Sequence, residues 1–117
     1  MDYDRLRGMG VAITTPFNTD ESIDYDTLDF HIDYLINEGA DYIVALGTTA
    51  ETPTLSREEK TELEKRILDR VAGRVPVVVG IGGNNTRAIV DELSHTERLN
   101  EFAAILSVVP YYNKPTQ

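Results

Sequence analysis

The sequence predicts an α/β fold in the order β-α-β-α-β-α-β, on three observations. Four short apolar runs rich in β-prone residues are spread along the chain. Three helical apolar stripes lie between them. Strand starts recur at roughly 30 residues, the length of a βαβ unit. With right-handed crossovers, such a repeat makes a parallel sheet.

The first run covers residues 9–14, and the others cover 42–46, 75–79 and 103–109. None alternates cleanly with polar residues, which suits strands buried on both faces. The first helix is expected over 25–38, with Leu28, Ile32, Leu35 and Ile36 on one face. Asp24 or Asp26 can cap its start, and Gly39 stands where a left-handed residue ends it. Tyr25 and Tyr34 read as packing residues. The second helix opens on Ser56-Arg57-Glu58-Glu59, which has capping-box spacing. Leu63, Ile67, Leu68 and Val71 form its stripe, Gly73 ends it, and Glu58, Glu59, Glu62 and Glu64 read as a solvated face. The third spans 86–100, with Ile89, Val90, Leu93 and Leu99 inward and Asn84 or Asn85 as cap.

Two architectures satisfy this order: an open doubly wound sheet, or part of a (β/α)8 barrel. A complete barrel takes ~250 residues. The chain has 117, and it stops directly after a strand. The expectation is therefore the N-terminal portion of a TIM barrel. Residues 1–117 would form a single partial domain, truncated after strand four.

Composition excludes several function classes. The net charge of −9 opposes a nucleic-acid patch or an anionic membrane partner. With no cysteine, disulfides and thiolate chemistry are excluded. No apolar run approaches the ~18 residues of a membrane helix. The acidic start Met1-Asp2-Tyr3-Asp4 lacks the order of a signal peptide, so a cytoplasmic location is expected. No His/Asp/Glu set has zinc-like spacing, and neither a metal nor a cofactor is expected. His31 and His95 fall within helices and read as solvated.

In either architecture, ligands bind at the C-terminal ends of the strands. Four polar segments occupy that rim. Thr14-Thr15-Pro16-Phe17 follows the first strand, and Gly47-Thr48-Thr49-Ala50-Glu51-Thr52 follows the second. Gly80-Ile81-Gly82-Gly83-Asn84-Asn85-Thr86 follows the third, and Pro110-Tyr111-Tyr112-Asn113-Lys114-Pro115 the fourth. The Thr48 and Thr49 hydroxyls and N–H groups suit a small carboxylate, and equally suit a plain threonine-capped loop. The glycine-rich third loop fails the dinucleotide pattern, because Asn85 stands where its last glycine belongs. Glu51 reads as a structural hydrogen-bond acceptor.

Several of these motifs, in this order, resemble the N-acetylneuraminate lyase/dihydrodipicolinate synthase superfamily. They are Thr14-Thr15-Pro16-Phe17, Gly-Thr-Thr-x-Glu at Gly47–Glu51, Leu55-Ser56-x-x-Glu59, the Gly80–Thr86 stretch and Pro110-Tyr111-Tyr112-Asn113-Lys114-Pro115. Thr48, where neuraminate lyases commonly carry serine, favours the synthase branch, as does the Tyr111-Tyr112 segment. The resemblance implies condensation of pyruvate with aspartate semialdehyde through a lysine Schiff base, on the route to lysine and diaminopimelate. It implies Thr48 as a relay hydroxyl, Thr49 as the pyruvate-carboxylate ligand, and Tyr112 as a relay reaching a neighbouring subunit's site. Asn84 and Tyr111 would lie near an interface where some members bind lysine. A homotetramer, a dimer of dimers, is implied as the assembly.

Three departures stand out. Ala50 replaces the usual loop glycine. Arg57 and Ala88 replace a histidine and glutamate of the lysine-sensitive members, which implies weak or absent lysine inhibition. The family's Schiff-base lysine lies on strand six, and Lys60, Lys65 and Lys114 are all elsewhere. The chain alone is therefore expected to be inactive. A related pyruvate aldolase and a non-catalytic α/β module stay open as alternatives.

Overall fold

In the computed structural model, which describes residues 3–112, four strands form one parallel sheet in the order β1-β2-β3-β4. The strands are β1 (Gly10–Ala12), β2 (Tyr42–Ala45), β3 (Val77–Gly80) and β4 (Ala104–Leu106). The intervening helices are α1 (Tyr25–Asn37), α2 (Arg57–Val71) and α3 (Thr86–His95). The β-α alternation and the parallel pairing predicted from the sequence are both present. Val11 pairs with Ile43, Val44 with Val78, and Val79 with Ile105, so every strand pairs with its chain neighbour.

The core lies between the sheet and the helices. Ile13, Leu28, Ile32, Ile43, Leu63, Ile67, Val71, Val79 and Ile81 are its most enclosed side chains. Each such aliphatic side chain contributes about 1.5–3 kcal/mol when fully buried. On the opposite face Gly10, Ala12 and Leu106 are exposed, while Val78 of a central strand stays buried; Ile105, on the helix side, is exposed as well. Double-sided burial therefore fails for the two edge strands, β1 and β4.

Local chemistry sets the element ends. Asp24 caps α1, accepting from the Thr27 N–H at 3.0 Å and the Thr27 hydroxyl at 2.7 Å. Those bonds hold its carboxyl below the usual range. Ser56 and Glu59 complete the predicted capping box on α2. Asn85 caps α3 through Ala88, which excludes Asn84 from that role. The left-handed residue ending α2 is Ala72, with Gly73 also at positive φ.

One helix boundary and four packing expectations need correction. Helix α3 ends at His95 rather than 100, because Thr96 turns extended and its hydroxyl bonds back to the Glu92 carbonyl at 2.9 Å. Val90 points to solvent and Tyr34 is largely exposed. His31 is half-buried rather than solvated. Glu64 is only 7% exposed, because α3 lies over its side of α2.

Candidate functional site

The rim at the strands' C-terminal ends is built from backbone first. After β2, Leu46 takes a positive φ of 54° and turns the chain sharply. Residues Thr48–Ala50 then make one 3-10 turn, and Glu51 ends it at φ 59°. Ala50 is not among the positive-φ residues, so the usual glycine is not needed there. Glu51 carries the strained backbone instead. Its own carboxylate stays exposed, and its backbone N–H donates to the Thr48 carbonyl at 3.0 Å. The expected acceptor role for its side chain is thus not what the structure shows.

This turn is clamped at both ends. At its entry the Thr52 hydroxyl is shared between the Gly47 carbonyl at 2.7 Å and the Leu46 carbonyl at 3.2 Å. At its exit the buried Thr15 hydroxyl donates to the Ala50 carbonyl at 2.8 Å. Gly80, closing β3, lets the loop come close, since a Cβ there would stand 2.2 Å from the Leu46 carbonyl oxygen. Between the clamps, Thr48 and Thr49 are exposed.

The fourth loop joins the same rim. β2 and β4 are separated only by β3, so their ends lie about 10 Å apart. Tyr111 and Tyr112 are 56% and 96% exposed, and Tyr112 takes a positive φ of 66°. A bulky aromatic at positive φ is an uncommon, strained backbone conformation. Asn84 is exposed on the third loop. Asn113, Lys114 and Pro115 lie outside the described residues. The topology therefore brings Thr48, Thr49, Asn84, Tyr111 and Tyr112 to one rim, while Lys60 and Lys65 sit on α2.

A cavity lies elsewhere, away from this rim. About 290 Å³ opens between α2 and α3, lined by Arg57, Lys60, Glu64, Ala88 and Glu92 among others. Arg57 and Ala88 thus share one cleft. Burial pushes the Glu64 carboxyl up to about 7, with the Glu92 charge adding and Lys60 opposing. The sequence alone gave no sign of this cleft, because it depends on where α3 falls. Among the described residues, no cluster of acidic, His or Cys side chains could hold a metal ion. No helix among them is long and apolar enough to cross a membrane.

A parallel β/α sheet with threonines, glycines and tyrosines at its strand ends fits part of a TIM barrel, a fold whose ligands bind at that edge. The chain belongs to the Dihydrodipicolinate synthetase family, whose pattern matches residues 5–117. It is 55% identical over 112 residues to the 4-hydroxy-tetrahydrodipicolinate synthase of Parabacteroides distasonis, covering 96% of this chain and 37% of that protein. The chloride-inhibited dihydrodipicolinate synthase of Acinetobacter baumannii, complexed with pyruvate, matches with a TM-score of 0.86 and 40% identity. That match covers 93% of this chain and 37% of that one. A monomeric dihydrodipicolinate synthase variant matches with a TM-score of 0.88 and 37% identity, over 97% of this chain and 37% of that one. The described fold corresponds to the N-terminal part of that barrel. The chain spans little more than a third of the length of these relatives.

Proposed function

We propose that this chain supplies the pyruvate-positioning and proton-relay part of a 4-hydroxy-tetrahydrodipicolinate synthase. The observation that carries the reading is the clamped turn holding Thr48 and Thr49 outward on the rim shared with Tyr111 and Tyr112. In the reaction, a lysine amine condenses with the pyruvate ketone and releases water. Loss of a methyl proton then gives an enamine that attacks the aldehyde carbon of aspartate semialdehyde. The Thr49 hydroxyl and N–H hold the pyruvate carboxylate. The Thr48 hydroxyl passes protons between tyrosines, one of them Tyr112 from a neighbouring subunit. Asn84 and Tyr111 lie toward that subunit contact.

The covalent step needs a lysine at a strand end. The family's lysine is on strand six, whereas Lys60 and Lys65 are on the outer helix α2 and Lys114 follows β4 in sequence, outside the described residues, so the chain alone is inactive in this reading. Its assembly as a tetramer and its cytoplasmic location belong to the same proposal. The similarity to a monomeric variant makes the tetramer a separate measurement.

The test replaces the equivalent segment of the Parabacteroides distasonis synthase with residues 1–117. The chimera is expected to condense the two substrates and to be trapped covalently by borohydride with pyruvate. Thr48→Val should lower kcat by about 10²-fold, the scale of one proton-transfer group. Full activity in Thr48→Val would sink the reading, as would pyruvate trapping on Lys60, Lys65 or Lys114 in residues 1–117 alone.

A further inference from the structure

We infer that Thr15 is a positioning residue for the Thr48–Thr49 turn, setting where a bound carboxylate meets it. Thr15 lies just past β1 and has no part in the reaction proposed above. It is one of two buried polar or charged side chains among the described residues, at 6% exposure. Its hydroxyl reaches across 35 residues to the Ala50 carbonyl.

That carbonyl needs an outside donor. Ala50 is the last residue of the one-turn helix and is 2% exposed. The left-handed turn at Glu51 breaks the ladder there. The next backbone bonds run from Thr54 to the Glu51 carbonyl and from Leu55 to the Thr52 carbonyl. They skip Ala50. A buried carbonyl left without a donor is costly, so the turn's exit is pinned to the end of β1. Its entry is pinned separately by Thr52 and by the close approach at Gly80. Thr48 and Thr49 are the exposed residues between these pins, and a shift at Ala50 is passed along one short turn to the adjoining Thr49. Displacements near 1 Å are enough to cost large factors in a bound geometry.

The inference rests on the pyruvate reading of Thr49, and the chimera described above separates the two. Thr15→Val keeps the side-chain volume and removes the donor. It is expected to raise the pyruvate KM about tenfold while the aspartate semialdehyde KM stays within about twofold. Thr15→Ser, which restores the hydroxyl, should return the pyruvate KM to within about twofold of the parent. If Thr15→Val folds poorly, Thr52→Val loosens the other pin and should raise the pyruvate KM several-fold. A structural role alone would lower the melting temperature or kcat and leave the pyruvate KM unchanged. That result overturns the inference. If Thr49→Val leaves the pyruvate KM unchanged, the pyruvate reading falls and this inference falls with it. If Thr49→Val raises it while Thr15→Val and Thr52→Val do not, only the positioning role fails.

Discussion

Toward α1, helix α2 presents two arginines that meet carboxylates, joined by Arg74 just past its end; toward α3 it presents a buried glutamate with no hydrogen bond among the described residues. On the first side, Arg66 grips Asp29 with two bonds of 3.0 and 2.7 Å. Arg70 reaches Asp33 in the same forked manner, and Arg74 adds a bond to Asp33 at 2.7 Å. Arg66 also lies 5.6 Å above the Tyr25 ring. On the second side, Lys60 stands 3.9 Å from Glu92, and Glu64 faces the cleft between them and His95. One helix therefore has a closed seam and an open one. Matched charges close the first, while the second leaves a largely buried carboxylate facing the cleft, with Glu92 opposing its charge and Lys60 favouring it.

The seams should answer pH in opposite directions. Paired arginines lower the Asp33 pKa from 3.8 to about 2. Its contribution to stability is present above 3.8 and is lost as pH falls toward about 2. Burial raises the Glu64 pKa from 4.5 to about 7. Its protonated form fits the fold, so stability is fullest below 4.5 and is lost as pH rises through about 7.

Breaking the closed seam should have the largest effect. Asp29→Ala leaves Arg66 facing an empty site and should cost about 2 kcal/mol in denaturant unfolding at neutral pH. A loss within experimental error would mean the ladder is ornamental. A smaller change is expected from Glu64→Gln, which removes the titrating charge. It should gain about 1 kcal/mol near pH 8, allowing for partial solvent screening, and almost nothing near pH 4. Equal effects at the two pH values would remove Glu64 as the cause. The smallest effect belongs to Asp33→Asn. It should flatten the acid limb of an unfolding-versus-pH curve between 3.8 and about 2, leaving the limb around 7 intact. If both limbs flatten together, the seams are not independent.

The elements were legible in the sequence because their signals are local. Apolar runs marked the strands, the Ser56–Glu59 box marked the start of α2, and Asp24 was one of two residues offered as the cap of α1. The end of α3 was not legible, since neither glycine nor proline follows it. A threonine back-bond and the left-handed Arg98 end it instead. Glu64 was misread because it follows Leu63 at the margin of the stripe, and only the position of α3 determines on which side that margin falls. In the site, Thr48, Thr49, Tyr111 and Tyr112 were legible as a motif and as a rim. The clamp was not: the Thr15–Ala50 bond joins residues 35 apart, and no periodicity encodes it.

The sheet's strand order has a consequence for how such a unit forms. Because β1, β2, β3 and β4 pair strictly in sequence, each loop that must close spans only one βα repeat. Contact order is low for a parallel sheet, and the entropy of closure is met in small equal steps. A chain leaving the ribosome can therefore add one strand at a time to an edge already made. Thr15 and Ala50 come together at the first of those steps, so the turn carrying Thr48 and Thr49 can be pinned before β3 and β4 have joined the sheet.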